Sequence, residues 1–216
     1  MPDPVAILGG TGKEGRGLAA RWSKAGRTVT IGSRDAARAR AAAGEVAALS
    51  GGNVVGTENG EACRVADIIV LTTPFEGLEA TVVENAEALK GKLVVSAVNP
   101  LRFAGGRISV LEVAEGSAAE LVAARLPQSR VATAFHNVSA VLLAKLEQNP
   151  EEDIPVAADT EADREIVVEL CRDLGTRGVG VGPLSLARYL EGFTAVLLTI
   201  NKLYRAQAGI RFTGLP

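Results

Sequence analysis

The glycine-rich segment close to the first residue limits most strongly what this chain can fold into. A short apolar run over residues 5–8 is followed by Gly10, Gly12 and Gly15, which have the spacing G-x-G-x-x-G. Between a strand and a helix, the first glycine permits a tight turn, the second lets the backbone approach a pyrophosphate, and the third lets the helix pack on the strand. The N–H groups and positive dipole end of that helix attract phosphate. We therefore predict a dinucleotide site that includes Gly10, Thr11, Gly12, Lys13, Glu14 and Gly15. The alternative is a glycine-rich turn that binds nothing.

The end of the second predicted strand indicates which dinucleotide is bound. Strand 28–31 is followed by Gly32, Ser33 and Arg34, where NAD-binding chains usually carry an acidic residue for the ribose hydroxyls. A hydroxyl and two guanidinium groups, those of Arg34 and Arg38, suit a 2′-phosphate. Asp35 is expected to cap the next helix. The pattern favours NADP(H), and the alternative is that both arginines are only solvated surface charges.

Composition excludes several classes of function. The formal net charge of −2 over 216 residues argues against a nucleic-acid surface or an anionic-membrane surface. The two cysteines, Cys63 and Cys171, suggest neither a disulfide framework nor a metal site. The apolar stretch 193–200 is too short to span a bilayer. No secretory signal is recognised before the first strand, so a cytoplasmic location is expected.

Strand-like and helix-like runs alternate along the chain, and several strands are continuously apolar. This pattern predicts an α/β fold with a doubly wound, mainly parallel Rossmann sheet and a small C-terminal helical part. Residues 1–150 are predicted to form the NADP-binding domain. Residues 151–216 would add strands and a long apolar helix over 184–206 that closes the substrate cleft. Residues 99–109 are predicted to be a long loop, and residues 139–147 are predicted to be a helix.

Ligands in such a sheet lie beyond the carboxyl ends of the strands. The turn formed by Thr72, Thr73 and Pro74 is therefore expected along the ribose and pyrophosphate, unless it only ends a strand. Asn99 and Pro100 are expected at the nicotinamide end, together with His136.

The chain lacks the groups that alcohol or hydroxy-acid oxidation needs. Tyr189 and Tyr204 are not followed by lysine at the Tyr-x-x-x-Lys spacing, and no metal-ligand spacing is present. Direct hydride transfer between two cofactor rings needs only that the rings are stacked and that water is excluded. No catalytic residue is assigned with certainty. His136 is the candidate for positioning the acceptor ring, and the alternative is a hydrogen-bonded polar residue without a role.

Motifs along nearly the whole chain resemble those of the F420-dependent NADP reductases. They are Gly9 to Gly12, Gly32 to Arg34, Asp67 to Pro74, Gly116 to Glu120, Ala134 to His136, Asp153 to Val156, Gly182 to Ser185 and Gly209 to Phe212. The resemblance implies reversible, direct hydride transfer between NADP(H) and the deazaflavin coenzyme F420 (F-420). It also implies a homodimer.

The same resemblance assigns residues to the two ligands. Thr11, Ser33, Arg34 and Arg38 would hold NADP, His136 and the backbone near Val138 would hold the deazaflavin, and the segment around Gly209 would close over it. Two other readings remain open. One is an NADPH-dependent reductase of a flavin, a ferric chelate or a small imine, and the other is a non-catalytic NADP sensor.

Overall fold

Ten strands form one large sheet and one hairpin in the computed structural model, which describes residues 3–215. The strands are β1 (Val5–Leu8), β2 (Val29–Ser33), β3 (Val54–Glu58), β4 (Ile68–Leu71), β5 (Leu93–Ser96), β6 (Leu101–Ala104), β7 (Arg107–Val110), β8 (Arg130–Thr133), β9 (Asp153–Ala158) and β10 (Arg177–Gly182). Eight of them pair in the order β3-β2-β1-β4-β5-β8-β9-β10. All neighbours in this sheet are parallel except β8 and β9. The prediction of a mainly parallel Rossmann sheet is confirmed.

Helices cover both faces of the sheet. They are α1 (Lys13–Lys24), α2 (Ala36–Ser50), α3 (Asn59–Arg64), α4 (Leu78–Glu84), α5 (Ala86–Leu89), α6 (Ala118–Arg125), α7 (Ala140–Leu143), α8 (Glu161–Asp173) and α9 (Ala187–Tyr204). Alternate residues of β1 enter two separate apolar cores: Val5 and Ile7 pack with α1, α2 and α8, whereas Ala6 and Leu8 pack with α3, α4 and α6. Because both faces are covered, the central strands β1 and β4 are apolar throughout.

Two local predictions were wrong. Residues 99–109 are not a long loop, because β6 and β7 form an antiparallel hairpin turned by Gly105 and Gly106, both with positive φ. The predicted helix 139–147 is only one turn long, α7. The rest of that segment is held by side chains of α1, since Arg21 and Lys24 donate to its backbone carbonyl groups.

The C-terminal third of the chain continues the same sheet and then crosses its carboxyl edge. β9 and β10 extend the sheet beyond β8, and α9 then passes from the α6 side of the sheet to that edge. The predicted division at residue 150 therefore falls between strands of one sheet and stays a prediction. Within residues 3–215, no helix is both long enough and apolar enough to cross a membrane.

Candidate functional site

The carboxyl ends of the parallel strands bring the predicted segments to one edge of the sheet. Three backbone hydrogen bonds there join the start of a loop to the end of the neighbouring strand: Gly10 N–H to Gly32 O at 3.2 Å, Thr72 N–H to Leu8 O at 3.0 Å and Ala134 N–H to Ser96 O at 3.1 Å. The loops that follow β1, β2, β4, β5 and β8 thus form one continuous surface. This is the place where an open parallel sheet binds its ligand.

The glycine loop after β1 leaves room for a phosphate. Gly9 makes the left-handed turn with φ of +76°, and a Cβ there would lie 2.8 Å from Thr73 Cγ2. A Cβ on Gly15 would lie 2.6 Å from Gly10 Cα, so α1 packs closely on the turn. The space beside Gly12 is open except for Gly9 O at 3.8 Å, and no side chain of residues 3–215 caps α1 there. The loop and helix end fit a pyrophosphate.

Arg16 fixes the shape of this loop, and the sequence prediction did not include it. Its Nε donates to Thr11 O at 2.9 Å, and its Nη1 pairs with Glu45 on α2. One side chain therefore joins the loop to two helices. Lys13 is exposed beside it.

The end of β2 carries positive charge that the protein does not neutralise. The carboxylate of Asp35 accepts from Ala37 N–H at 2.8 Å and Arg38 N–H at 3.1 Å, which confirms that Asp35 caps α2. Arg34 and Arg38 are exposed and form no ion pair with any of residues 3–215. Ser33 is buried, and its Oγ accepts from Asp35 N–H at 3.2 Å. The arrangement fits a phosphate bound by two guanidinium groups.

The turn after β4 lies against the glycine loop. Thr72 Oγ1 donates to Leu8 O at 3.3 Å, and Pro74 follows as an exposed residue. Thr73 Oγ1 is buried without a hydrogen-bond partner among the described residues. Because an unsatisfied buried hydroxyl is unfavourable, this atom is suited to a ligand that can pair with it.

Thr194 joins the two segments predicted for the nicotinamide end. Its Oγ1 lies 2.9 Å from His136 O and 3.1 Å from Asn99 Oδ1, and Pro100 is buried next to Asn99. Thr194 lies on α9, far from both segments in sequence, and it was not predicted. The contact fixes the loop after β5 relative to the loop after β8.

Glu191 anchors α9 in the position that this contact requires. Its buried carboxylate accepts from Ala118 N–H at 2.8 Å and Ala119 N–H at 3.0 Å, at the N-terminus of α6. Burial raises the pKa of Glu191 to about 7, although the two N–H groups favour the ionised form. The anchor lies one helical turn before Thr194.

His136 is neutral and turned into the protein. Phe135, which precedes it, has φ of 71°, and the Phe135 ring packs edge-on against Trp22. The imidazole Nε2 lies 2.5 Å from Thr133 Oγ1. Burial lowers the pKa of His136 to about 3, against a smaller opposing effect of the Ala97 backbone. The ring therefore cannot supply a proton near neutral pH, and its Nδ1 has no hydrogen-bond partner within residues 3–215.

The C-terminal tail lies beside the loop that holds His136 and Val138. Ser139 Oγ donates to Gln207 Oε1 at 2.7 Å, and Asp153 N–H donates to Ile210 O at 2.7 Å. Gly209 crosses the side chain of Glu152 and lines a groove of about 390 Å³ between the tail and residues 142–152. The tail thus reaches the edge of the sheet where the acceptor was predicted.

The side chains at the nicotinamide end of this edge are uncharged. Asn99, His136 and Thr194 are polar but neutral, and no cluster of metal-ligating side chains occurs among residues 3–215. Uncharged side chains of this kind can orient two rings and exclude water. They provide no acid–base pair of the kind that oxidises an alcohol.

Solved structures share this architecture. A protein from Arthrobacter sp. FB24, described as a candidate F420-dependent NADP reductase, superposes with a TM-score of 0.84 at 23% identity, covering 98% of this chain and 99% of that one. A reductive aminase from Aspergillus terreus, solved with NADPH, gives a TM-score of 0.66 at 18% identity, covering 95% of this chain and 63% of that one. At these identities the likeness establishes the fold alone.

Other known proteins have a higher sequence identity to this chain than these solved structures have. Residues 4–100 match the family described as NADP oxidoreductase coenzyme F420-dependent. The F420-dependent NADP reductase of Methanothermobacter thermautotrophicus is 37% identical over 221 aligned positions, which cover 98% of this chain and 95% of the relative. That of Methanocaldococcus jannaschii is 36% identical over 220 positions, covering 98% of each. The chain therefore belongs to the family of F420-dependent NADP reductases.

Proposed function

We propose that this protein transfers a hydride directly and reversibly between NADP(H) and the deazaflavin coenzyme F420. The observation that carries the proposal is the alignment with curated reductases over 98% of the chain. It includes α9 and the tail, and not only the glycine loop that many dehydrogenases share. The uncharged side chains at the nicotinamide end agree with a reaction in which the two cofactors provide the chemistry.

The roles of individual residues follow from their positions at the edge of the sheet. The glycine loop and the start of α1 would hold the pyrophosphate, and Ser33, Arg34 and Arg38 would hold the 2′-phosphate. The turns at 72–74 and 99–100 would flank the ribose and the nicotinamide. The backbone at Val138 and the tail at Gly209 would face the deazaflavin, and the buried His136 would position that backbone. Bound NADPH would supply the hydride, and these residues would stack the acceptor ring against it and exclude water.

The first experiment mixes the purified protein with NADPH and oxidised coenzyme F420 and follows the loss of deazaflavin absorbance. We expect rapid loss with NADPH and much slower loss with NADH. Nucleotide binding without any loss of absorbance would contradict the proposal. Flavins, ferric chelates and small imines would then be tested as acceptors, and turnover of none of them would indicate an NADP sensor.

We further propose that two copies of the chain associate through α9. An apolar stripe runs along this helix with alternating spacings of four and three residues. Tyr189, Phe193, Val196 and Leu203 are exposed, and Ile200 within the stripe is half-buried. Leu203 is 72% exposed and Tyr189 is 68% exposed. This spacing is typical of a helix that packs along another helix, and a second copy would bring an identical stripe. Exposed Phe103 on the adjacent β6–β7 hairpin widens the surface.

Replacing Val196 with glutamate at the middle of the stripe tests this association. In size-exclusion chromatography with light scattering, we expect the unmodified protein at twice its chain mass of 22.3 kDa and the Val196→Glu variant at the chain mass. A buried, unpaired carboxylate at an interface is strongly unfavourable. Leu49→Glu is the matched control, because Leu49 is 59% exposed on α2, away from the stripe. A monomeric unmodified protein would contradict the proposal.

The cysteines agree with the cytoplasmic location that we propose. Cys63 and Cys171 are both free and buried. Burial raises the pKa of Cys63 to about 11 and raises the pKa of Cys171 well above its usual range. Both side chains therefore remain protonated thiols that pack as small apolar groups.

A further inference from the structure

The contacts of Gly17 and Arg21 indicate the side of α1 on which the Glu14 side chain lies. Gly17 faces Leu143, since a Cβ on Gly17 would lie 2.6 Å from Leu143 Cβ. Arg21 lies seven residues after Glu14 and therefore within about 20° of it around the helix axis. The guanidinium of Arg21 donates to backbone carbonyl groups of residues 142–148. Glu14 is thus directed towards the segment that follows His136.

The same side of α1 borders the nicotinamide end of the proposed NADP(H) site. With the 2′-phosphate at the end of β2 and the pyrophosphate at α1, the dinucleotide extends along the strand order β2-β1-β4-β5-β8. Its nicotinamide end then lies over the ends of β4, β5 and β8, near Thr72, Asn99 and His136. This region lies between the first turn of α1 and the segment towards which Glu14 is directed.

The carboxyl group of Glu14 has no partner within the part of the chain that the structure describes. It forms no hydrogen bond or ion pair with residues 3–215, although the side chain is half-buried. Burial raises the pKa of Glu14 to about 8. The other charged or titratable side chains of α1 and of the facing segment 136–148 are Lys13, Arg16, Arg21, Lys24, His136, Lys145 and Glu147. None of them contributes to this shift, so the carboxyl is protonated near neutral pH.

We propose that Glu14 faces the nicotinamide ring of bound NADP(H) and releases its proton when that ring is the positively charged oxidised form. The proposal rests on the NADP(H) placement proposed above. The oxidised ring carries one positive charge and the reduced ring carries none, so only the oxidised ring favours a neighbouring carboxylate. In this step the carboxyl O–H bond breaks, its electron pair stays on oxygen and the proton passes to solvent. Binding of NADP⁺, but not of NADPH, is then coupled to pH.

Calorimetric titration of the full-length protein at pH 7 tests the proposal without any acceptor. NADP⁺ is titrated in two buffers of different ionisation enthalpy, and the difference gives the number of protons released. We expect release of about one proton per site with NADP⁺ and none with NADPH, because a carboxyl of pKa about 8 is mostly protonated at pH 7. NADPH is the matched ligand, because it carries the same 2′-phosphate.

The Glu14→Gln variant keeps the shape of the side chain and removes the proton. We expect it to bind both nucleotides and to release no proton with NADP⁺, while Glu84→Gln, which alters an exposed carboxylate at the end of α4, behaves like the unmodified protein. Proton release that persists in Glu14→Gln would overturn the assignment to Glu14. Equal proton release with NADP⁺ and NADPH would also overturn it.

A second measurement needs no variant. In the unmodified protein, the Kd of NADP⁺ relative to that of NADPH is expected to fall by up to about tenfold per pH unit between pH 6 and pH 8. A constant ratio would overturn the proposal even if the variant did not fold. If both nucleotides bind and the ratio of their Kd values does not change with pH, the inference about Glu14 fails and the proposed function is unaffected. If neither nucleotide binds, the proposed function fails with it.

Discussion

Replacing Arg21 with methionine is expected to lower the free energy of unfolding by about 4 kcal/mol. Arg21 is 5% exposed, and its guanidinium donates to five backbone carbonyl groups. They belong to Leu142, Leu143, Lys145, Gln148 and Leu174, at distances of 2.7 to 3.0 Å. The bonds to Leu143 and Leu174 are fully buried, and each buried carbonyl left without a donor costs on the order of 2 kcal/mol. Water can reach the other three.

The size of this loss can be measured by urea unfolding and by the Tm. For a chain of this length, about 4 kcal/mol corresponds to a fall in Tm of roughly 8 to 16 °C. Lys24→Met is the matched control, because Lys24 lies one turn further along α1 and donates to Leu146 O at 3.0 Å from an exposed position. Its loss should stay below about 1 kcal/mol. Equal losses for the two variants would show that the carbonyl groups do not depend on Arg21.

The central fold could be predicted because its strands are buried on both faces. β4 is an uninterrupted apolar run, β5 has three apolar residues before Ser96, and the glycines after β1 mark the turn into α1. Family membership was also correctly predicted from the motifs. The hairpin β6–β7 was missed although it had a signal. Gly105 and Gly106 between two alternating runs are typical of a two-residue hairpin turn.

The contacts that complete the site were not accessible from the sequence. Arg21 and Leu143 are 122 residues apart, and Thr194 and His136 are 58 residues apart. A buried arginine or threonine looks the same in a sequence as an exposed one, because its partners are backbone carbonyl groups. The orientation of the His136 ring was also unpredictable. It follows from the left-handed backbone at Phe135, which nothing in the residue type favours.

Removing Arg34 and Arg38 together is expected to lower kcat/KM for NADPH by about 100- to 10,000-fold. Each charge-assisted hydrogen bond to a phosphate contributes roughly 1.5 to 3 kcal/mol, and about 1.4 kcal/mol corresponds to a factor of ten. Neither guanidinium has a competing ion pair within residues 3–215, so both are available to the 2′-phosphate. kcat/KM for NADH should change by less than about threefold, because NADH lacks that phosphate.

Arg40→Ala is the matched control for this prediction. Arg40 is also an exposed arginine of α2, but it lies two residues after Arg38 and so points to the opposite side of the helix. Its loss should leave both nucleotides unaffected. A parallel fall for NADH in the double variant would instead mean that the arginines support the loop or the ribose and do not select the phosphate.

The electrostatic surroundings of Ser33 determine how far the preference can be reversed. Glu58 lies opposite Ser33 in the β2–β3 register, and it is exposed, so solvent screens its charge. The carboxylate of Asp35 is occupied as the helix cap, because it accepts from Ala37 N–H and Arg38 N–H. Without the arginines, the site therefore lacks a carboxylate that is positioned to bind the ribose hydroxyls. Adding Ser33→Asp to the double variant should supply it and raise kcat/KM for NADH by about tenfold, whereas an unchanged value would mean that the ribose does not lie at the end of β2.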